Sequence, residues 1–398
     1  MGQSGPLLRR QPFKGLYIAY LVGSTVLIRL PYWCIRYALP YMRPRSSWSL
    51  RRCVTVAAYR EVLTGVPLKL GLDNSHPPPT SDNELKDAKF VRIEGLSEDS
   101  VEFCGELRRA TRRTGIRPET ISAYWFLRPG TNITRDLQAT AGEKVAMHIH
   151  GGAFYLNSAH PDDATSQLSL GLLAHSHSLS RVLGVDYRLS ATAPNPPKNA
   201  YPAALLDCVA AYRYLVKELG FAPENITIVG DSAGGNLAVA TTRHLVENSI
   251  PGLPPPGRLL LCSPWLDIAG SRGGPNDPRV CNWYSDILGG LSDYPHRAYL
   301  GTLIDAGDKK TNPYISPASG YITETEGLFK GFPRTYISAG GAELILDDSI
   351  VAAERMEADG VDVVLNVEPD AVHDYMIFTW MEPERTEGLK KASKWLDS

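Results

Sequence analysis

Ser232 stands in Gly230-Asp231-Ser232-Ala233-Gly234-Gly235, directly after the apolar run Ile226-Thr227-Ile228-Val229 and directly before Asn236-Leu237-Ala238-Val239-Ala240. That order reads as a strand, a sharp turn and the start of a helix, with a hydroxyl at the apex. Glycines two positions either side of the serine permit backbone angles and close approaches that a side chain forbids. The expected product is a nucleophile elbow, which lifts the hydroxyl above a sheet and aims a helix N-terminus at the reaction centre. Such a serine attacks a carbonyl only with a base beside it and donors for the oxyanion that forms.

Donors are offered upstream. Val145-Ala146-Met147-His148-Ile149-His150 alternates like a strand and runs into Gly151-Gly152-Ala153-Phe154. Consecutive glycines after a strand expose backbone N–H groups, which an acyl-transfer oxyanion needs. Gly152 and Ala233 are the first candidates, with Gly151 or Ala153 supplying the third. His150, at the strand end, reads as a turn organiser rather than a base. His148 and His150 share one strand face, as a metal site would require, but no cysteine or carboxylate cluster accompanies them. Neither a metal nor a cofactor is expected.

Base and acid candidates follow the serine. Thr335–Ala339 reads as a strand, followed by Gly340-Gly341-Ala342-Glu343-Leu344-Ile345-Leu346-Asp347-Asp348 as loop and helix start. Val363–Val367 is another strand, followed by Glu368-Pro369-Asp370-Ala371-Val372-His373-Asp374-Tyr375. Histidine is the natural proton acceptor near neutral pH, and its second ring nitrogen needs an acid to fix the tautomer. Serine, acid, histidine is the α/β-hydrolase order.

With these motifs the chain resembles the hormone-sensitive-lipase-like esterases. The resemblance spans roughly residues 140–385 and rests on His150-Gly151-Gly152, Asp186-Tyr187-Arg188-Leu189, Tyr201-Pro202-Ala203-Ala204 with Asp207, the elbow, and His373-Asp374-Tyr375. It implies an α/β-hydrolase fold: a doubly wound, mainly parallel sheet with a helical cap. It also implies a triad of Ser232, His373 and an acid opening an Asp-x-Leu-x-Asp segment. At that position this chain has Glu343, with Asp347 as the fallback acid. The motif's third glycine is Ala153 here, which keeps an N–H. The implied reaction is hydrolysis of a carboxylic ester through an acyl-enzyme. Its implied substrates carry short acyl groups such as acetate on a hydrophobic alcohol, a sterol or secondary metabolite. An amidase or formamidase would use the same triad. A receptor on an inactive hydrolase scaffold is the rival from another class, opposed by the retention of serine, histidine and an acid.

The rest of the chain must position these groups. Its 41 Lys and Arg against 43 Asp and Glu leave no basic footprint for nucleic acid. The six cysteines form no CxxC, and Cys208 and Cys262 fall in apolar stretches as core thiols. Charge is uneven only at the N-terminus. Gly15 to Ile28 is apolar and uncharged, basic residues lie on both sides, and no carboxylate precedes Glu61. Residues 1–45 are therefore expected to associate with a membrane, the endoplasmic reticulum being one setting. A cap helix in a cytoplasmic enzyme and a removed signal are the alternatives. Residues 46–140 read as cap and entrance, with a stiff His76-Pro77-Pro78-Pro79 loop, helical spacing over Ser100–Arg113 and an edge strand at Ile121–Leu127. Residues 141–398 read as the catalytic domain, with a cap insert at about 270–330 whose Trp283, Tyr284, Tyr294 and Tyr299 either line a pocket or form cap core. Asn132-Ile133-Thr134 and Asn225-Ile226-Thr227 fit the glycosylation pattern, the second incidentally.

Overall fold

The computed structural model describes residues 7–63, 66–71, 85, 88–128, 138–272, 277–303 and 307–398. The His76–Pro79 loop and Asn132 lie outside the described residues.

Eight strands form one sheet in the order β1-β2-β4-β3-β5-β6-β7-β8. They are β1 (Ala88–Ile93), β2 (Ile121–Leu127), β3 (Lys144–Ile149), β4 (Leu179–Asp186), β5 (Ile226–Asp231), β6 (Arg258–Cys262), β7 (Arg334–Gly340) and β8 (Val363–Glu368). β1 pairs antiparallel with β2, and β2 antiparallel with β4; every pairing from β4 through β3 to β8 is parallel. Parallel neighbours need crossovers, and these carry the helices onto both faces. β2, expected at the edge, is covered by β1, so the stretch expected as cap and entrance also builds the outer sheet.

Alternation along each strand separates two cores. Val145, Met147 and Ile149 of β3 face one cluster with Ile226 and Ile228 of β5 and Leu259 and Leu261 of β6. Ala146, Val229, Leu260 and Cys262 face the other. The first is covered by helices Ala203–Arg213 and Ser232–Asn248, the second by helices Leu50–Leu63, Ser166–His175 and Glu384–Asp397. Cys208 and Cys262 are buried free thiols, and burial pushes both well up from the ordinary thiol range.

At the N-terminus, Phe13–Ala38 forms a helix of 26 residues, within which an 18-residue stretch reaches a mean hydropathy of 1.5. It is long and apolar enough to cross a membrane. Leu16, Leu27 and Ile35 are exposed, while Trp33 and Tyr37 bury themselves against the domain with Trp48, Cys53 and Val56. The segment therefore does not separate from the domain at residue 45. Arg43 donates to the carbonyls of Tyr37 and Trp48 at 2.9 and 2.7 Å, and Arg45 to the carbonyl of Gly341.

Between β5 and its helix, the chain turns at Ser232 with φ of 50°. The turn closes because Gly234 lies against the carbonyls of Ile149 and His150, atoms of the backbone that cannot swing aside for a Cβ. Gly234→Ala is therefore expected to destabilise the protein by about 1–3 kcal/mol through overpacking. Urea unfolding measures this directly, and an unchanged midpoint would show that the elbow is not tightly closed.

Candidate active site

Three strand ends bring the chemical groups together. Ser232 follows β5, Glu343 sits in the loop after β7, and His373 in the loop after β8. His373 Nε2 lies 2.9 Å from Ser232 Oγ, and His373 Nδ1 lies 3.3 Å from Glu343 Oε2. All three residues are buried, Glu343 completely. Asp347 is turned elsewhere: it pairs with Arg272 at 3.2 Å on the first turn of helix Leu346–Ala358. The fallback acid is thus not brought to His373.

Nε2 of His373 faces a second acceptor, Asp374 Oδ2, at 3.2 Å. Burial opposes the charged imidazole, but Asp374 and Glu343 outweigh it and hold His373 well above its ordinary value. Asp374 itself is pushed up to about 7 by burial, against the pull of His373. Its backbone has φ of 54°, and its N–H donates to Ser263 Oγ at 3.0 Å.

The donor side is built on the turn after β3. Gly152, Ala153 and Phe154 take φ of 113°, 51° and 65°, a succession that curls the backbone over the elbow. Gly152 is required there, because a Cβ would meet the carbonyl of Leu156. Gly151 leaves the expected donor set: its N–H donates to Asp231 Oδ2 at 2.8 Å, engaged by that carboxylate. Gly152 and Ala153 remain on this side. Ala233 faces them from the first turn of its helix, where N–H groups have no intrahelical partner.

Two supports, Asp231 and His148, were not read from the sequence. Asp231 Oδ1 pairs with His148 Nε2 at 2.7 Å, and His148 Nδ1 reaches Ser169 Oγ at 2.8 Å. Both ring nitrogens of His148 are thereby engaged. His150 organises the turn: Nδ1 contacts the carbonyl of Gly151 at 2.7 Å, and its ring stacks on Tyr187 at 4.3 Å. Tyr187 donates to the carbonyl of His150 at 2.9 Å, while Arg188 is held by Asp207 at 2.8 Å. The Asp-Tyr-Arg-Leu motif and Asp207 are thus scaffolding for the glycine turn.

A cavity of about 250 Å³ opens on Ser232 and Ala153, walled by Trp265, Trp283, Leu288 and Leu344. The insert's aromatic residues divide between roles. Trp283 lines this cavity and Tyr284 is exposed, with Arg60 over its ring at 5.2 Å. Tyr294 and Tyr299 are cap core, Tyr299 stacking on Phe154 at 3.7 Å.

Residues 146–377 match a family model described as alpha/beta hydrolase fold. Esterase LipU of Mycobacterium tuberculosis is 32% identical over 262 residues, 65% of this chain and 80% of that protein. An acetyl-hydrolase of Streptomyces hygroscopicus is 31% identical over 249 residues, 62% of this chain and 72% of its own length. Among solved structures, EstE7, a hormone-sensitive-lipase homologue from a metagenome library, is 30% identical. The match covers 69% of this chain and 82% of that one, with a TM-score of 0.54.

A base must be neutral to accept a proton, and His373 binds its proton more tightly than a free imidazole. Ester hydrolysis is therefore expected to fall as pH drops, with the midpoint of kcat/KM above about 6.5. A pH–rate profile on a neutral ester checks this. A profile flat between pH 5 and 8 would remove His373 as the base.

Proposed function

We propose that this chain, which belongs to the hormone-sensitive-lipase-like esterases of the α/β-hydrolase fold and is a serine ester hydrolase, uses Ser232, His373 and Glu343 as its triad on short-acyl esters of a hydrophobic alcohol. The observation that carries the reading is the continuous contact from Ser232 Oγ through His373 to Glu343. Ser232 attacks the ester carbonyl as His373 Nε2 takes its proton, and Glu343 stabilises the imidazolium. N–H groups of Gly152, Ala153 and Ala233 receive the tetrahedral oxyanion. Collapse expels the alcohol, protonated by His373, and leaves an acyl-serine. Water then attacks that acyl group with His373 again as base, releasing the acid and restoring Ser232. Every proton is returned, so the cycle needs no cofactor or metal. The cavity walls of Trp265 and Leu288 supply apolar contact for the ester, and the acetyl-hydrolase relative supports a short acyl group.

The exposed apolar face of Phe13–Ala38 holds the enzyme on a membrane in this reading. Its second half docks on the domain through Trp33 and Tyr37, which leaves the stretch before Arg29 shorter than the about 20 residues needed for a crossing. Arg29 is held by Ser24, Thr25 and Glu61, at 3.0, 3.2 and 3.6 Å, on the side toward helix Leu50–Leu63. A shallow, interfacial placement satisfies both facts. Each CH₂ removed from water contributes about 0.8 kcal/mol to such binding.

Ser232→Ala is expected to lower turnover on the order of a millionfold while leaving the fold intact. Glu343→Gln should cost roughly ten-thousandfold, and Asp347→Asn far less. Turnover of a chromogenic acetate ester by the purified variants measures all three. Near-normal hydrolysis by Ser232→Ala overturns the reading, and a larger loss from Asp347→Asn exchanges the acids. A chain beginning at Leu30 keeps Trp33, Tyr37 and Arg45 and should lose vesicle binding while retaining specific activity. Equal flotation of both chains with vesicles would refute the anchor.

A further inference from the structure

The triad leaves one fully buried carboxylate without a role. Asp286 lies in the insert between β6 and β7, with no exposure to solvent. Its Oδ2 accepts the N–H of Leu344 at 2.7 Å. Its Oδ1 accepts the N–H of Ile287 at 2.7 Å and the N–H of His373 at 3.2 Å. Leu344 directly follows Glu343, so a single carboxylate holds the backbone of both the acid's loop and the base.

Neighbours on the same turn complete the grip. Asn282 Nδ2 donates to the carbonyl of Glu343 at 2.9 Å and to that of Gly341 at 3.2 Å. Ser285 Oγ donates to the carbonyl of Ala342 at 3.0 Å. Three successive carbonyls and the next N–H of the acid loop are thus satisfied by side chains of the insert. β7 ends at Gly340, so the sheet ladder does not do this. The same short segment lines the substrate cavity with Trp283 and Leu288, on either side of Asp286 in sequence. The wall that touches substrate and the arm that holds acid and base are one piece of chain.

We propose that Asp286 is a positioning residue for ester hydrolysis: its carboxylate holds Glu343 and His373 in register and stabilises the imidazolium formed when His373 takes the serine proton. This rests on the Ser232–His373–Glu343 reading. Hydrogen bonds from N–H to a carboxylate are charge-assisted and roughly twice as strong as neutral ones. Catalytic groups displaced by about 1 Å lose about 100-fold in rate. Burial pushes Asp286 up to about 6, with His373 drawing it down and Glu343 working against ionisation. The carboxylate is therefore mostly charged where His373 works. Ser232, Glu343 and Asp374 contact the His373 ring, while Asp286 meets its backbone N–H and acts on the imidazole through charge. Removing one negative charge from that set weakens the imidazole's hold on its proton.

The test compares Asp286→Asn with wild type on 4-nitrophenyl acetate across pH 5–9, separating kcat from KM. Expected is a fall in kcat of about 100-fold with KM nearly unchanged. The acid limb of kcat/KM should also move about one unit to lower pH, because His373 has lost a facing anion. Unchanged kcat, or a fallen kcat with an unmoved limb, overturns the proposal. Asp286→Glu keeps the charge but lengthens the arm, so kcat should fall while the limb stays near that of wild type. If Asp286→Asn does not fold, this variant decides: wild-type kcat, or a limb moved to lower pH, would refute the positioning role. Glu343→Gln is assayed in parallel. If it is fully active, the triad reading has failed. If it is inactive while Asp286→Asn is not impaired, only the present proposal has failed.

Discussion

The carboxylate of Asp231 joins the two halves of the site. It is buried at the end of β5, takes the N–H of Gly151 on one oxygen and pairs with His148 on the other. One side chain thereby fixes the glycine turn after β3 against the serine turn after β5. Ser232 is held at φ of 50°, a conformation that costs of order 1–3 kcal/mol for a residue with a Cβ. The surroundings enforce it: Gly234 lies under the β3 carbonyls, and the carbonyl of Ser232 accepts the N–H of Trp265 at 2.9 Å. Without that clasp, the glycine turn and Ser232 would move independently, and the preorganisation that the proposed reaction needs would be lost.

The remainder of the site repeats the same solution for buried charge. A buried carboxylate is tolerated when N–H groups or a cation meet its oxygens. Asp286 takes three N–H groups, and Asp348 takes those of Leu266 and Asp267 at 2.8 and 2.7 Å. Asp207 holds Arg188. Asp286 and Asp348 connect segments that follow different strands, whereas Asp207 closes the connection between β4 and β5 on itself. The loops at this end of the sheet are thus held by acids as well as by apolar contacts such as Phe154 on Tyr299, while the two cores beneath hold the sheet. The cavity over Ser232 has Trp265, Trp283, Leu288 and Leu344 on its walls, with Asp267, Arg279 and His296 among the polar groups that also line it.

The N-terminal region ties an exposed apolar helix into that arrangement. Helix Phe13–Ala38 exposes apolar side chains along its first half, yet Arg45, just beyond it, reaches the carbonyl of Gly341 and the side chain of Asn282. Asn282 in turn supports the acid loop through Glu343. A short path of hydrogen bonds therefore runs from just beyond the apolar helix to the backbone of Glu343.

Several features were legible in the sequence because their causes are local. The elbow needs glycine at 230 and 234, the glycine turn needs Gly152, and apolar or alternating runs announce β3, β5, β7 and β8 within two residues of their ends. Family motifs in the right order located Ser232 and His373. Other features had no local signal. β1 and β4 lack a clean alternation of apolar and polar residues, and the alternation of β2 reads as an edge strand although β1 pairs outside it. Glu343 and Asp347 are four residues apart on one loop, and spacing alone cannot tell which faces His373. The fold turned the first inward and paired the second with Arg272. Whether the N–H of Gly151 points to a substrate or to Asp231 depends on a partner 80 positions away, and the grip of Asp286 on His373 joins residues 87 apart. Backbone conformation is set by neighbouring residues, so the sequence determined where the serine of the elbow would stand. Which polar groups meet across loops depends on how distant strands are ordered, and only the tertiary structure decided that.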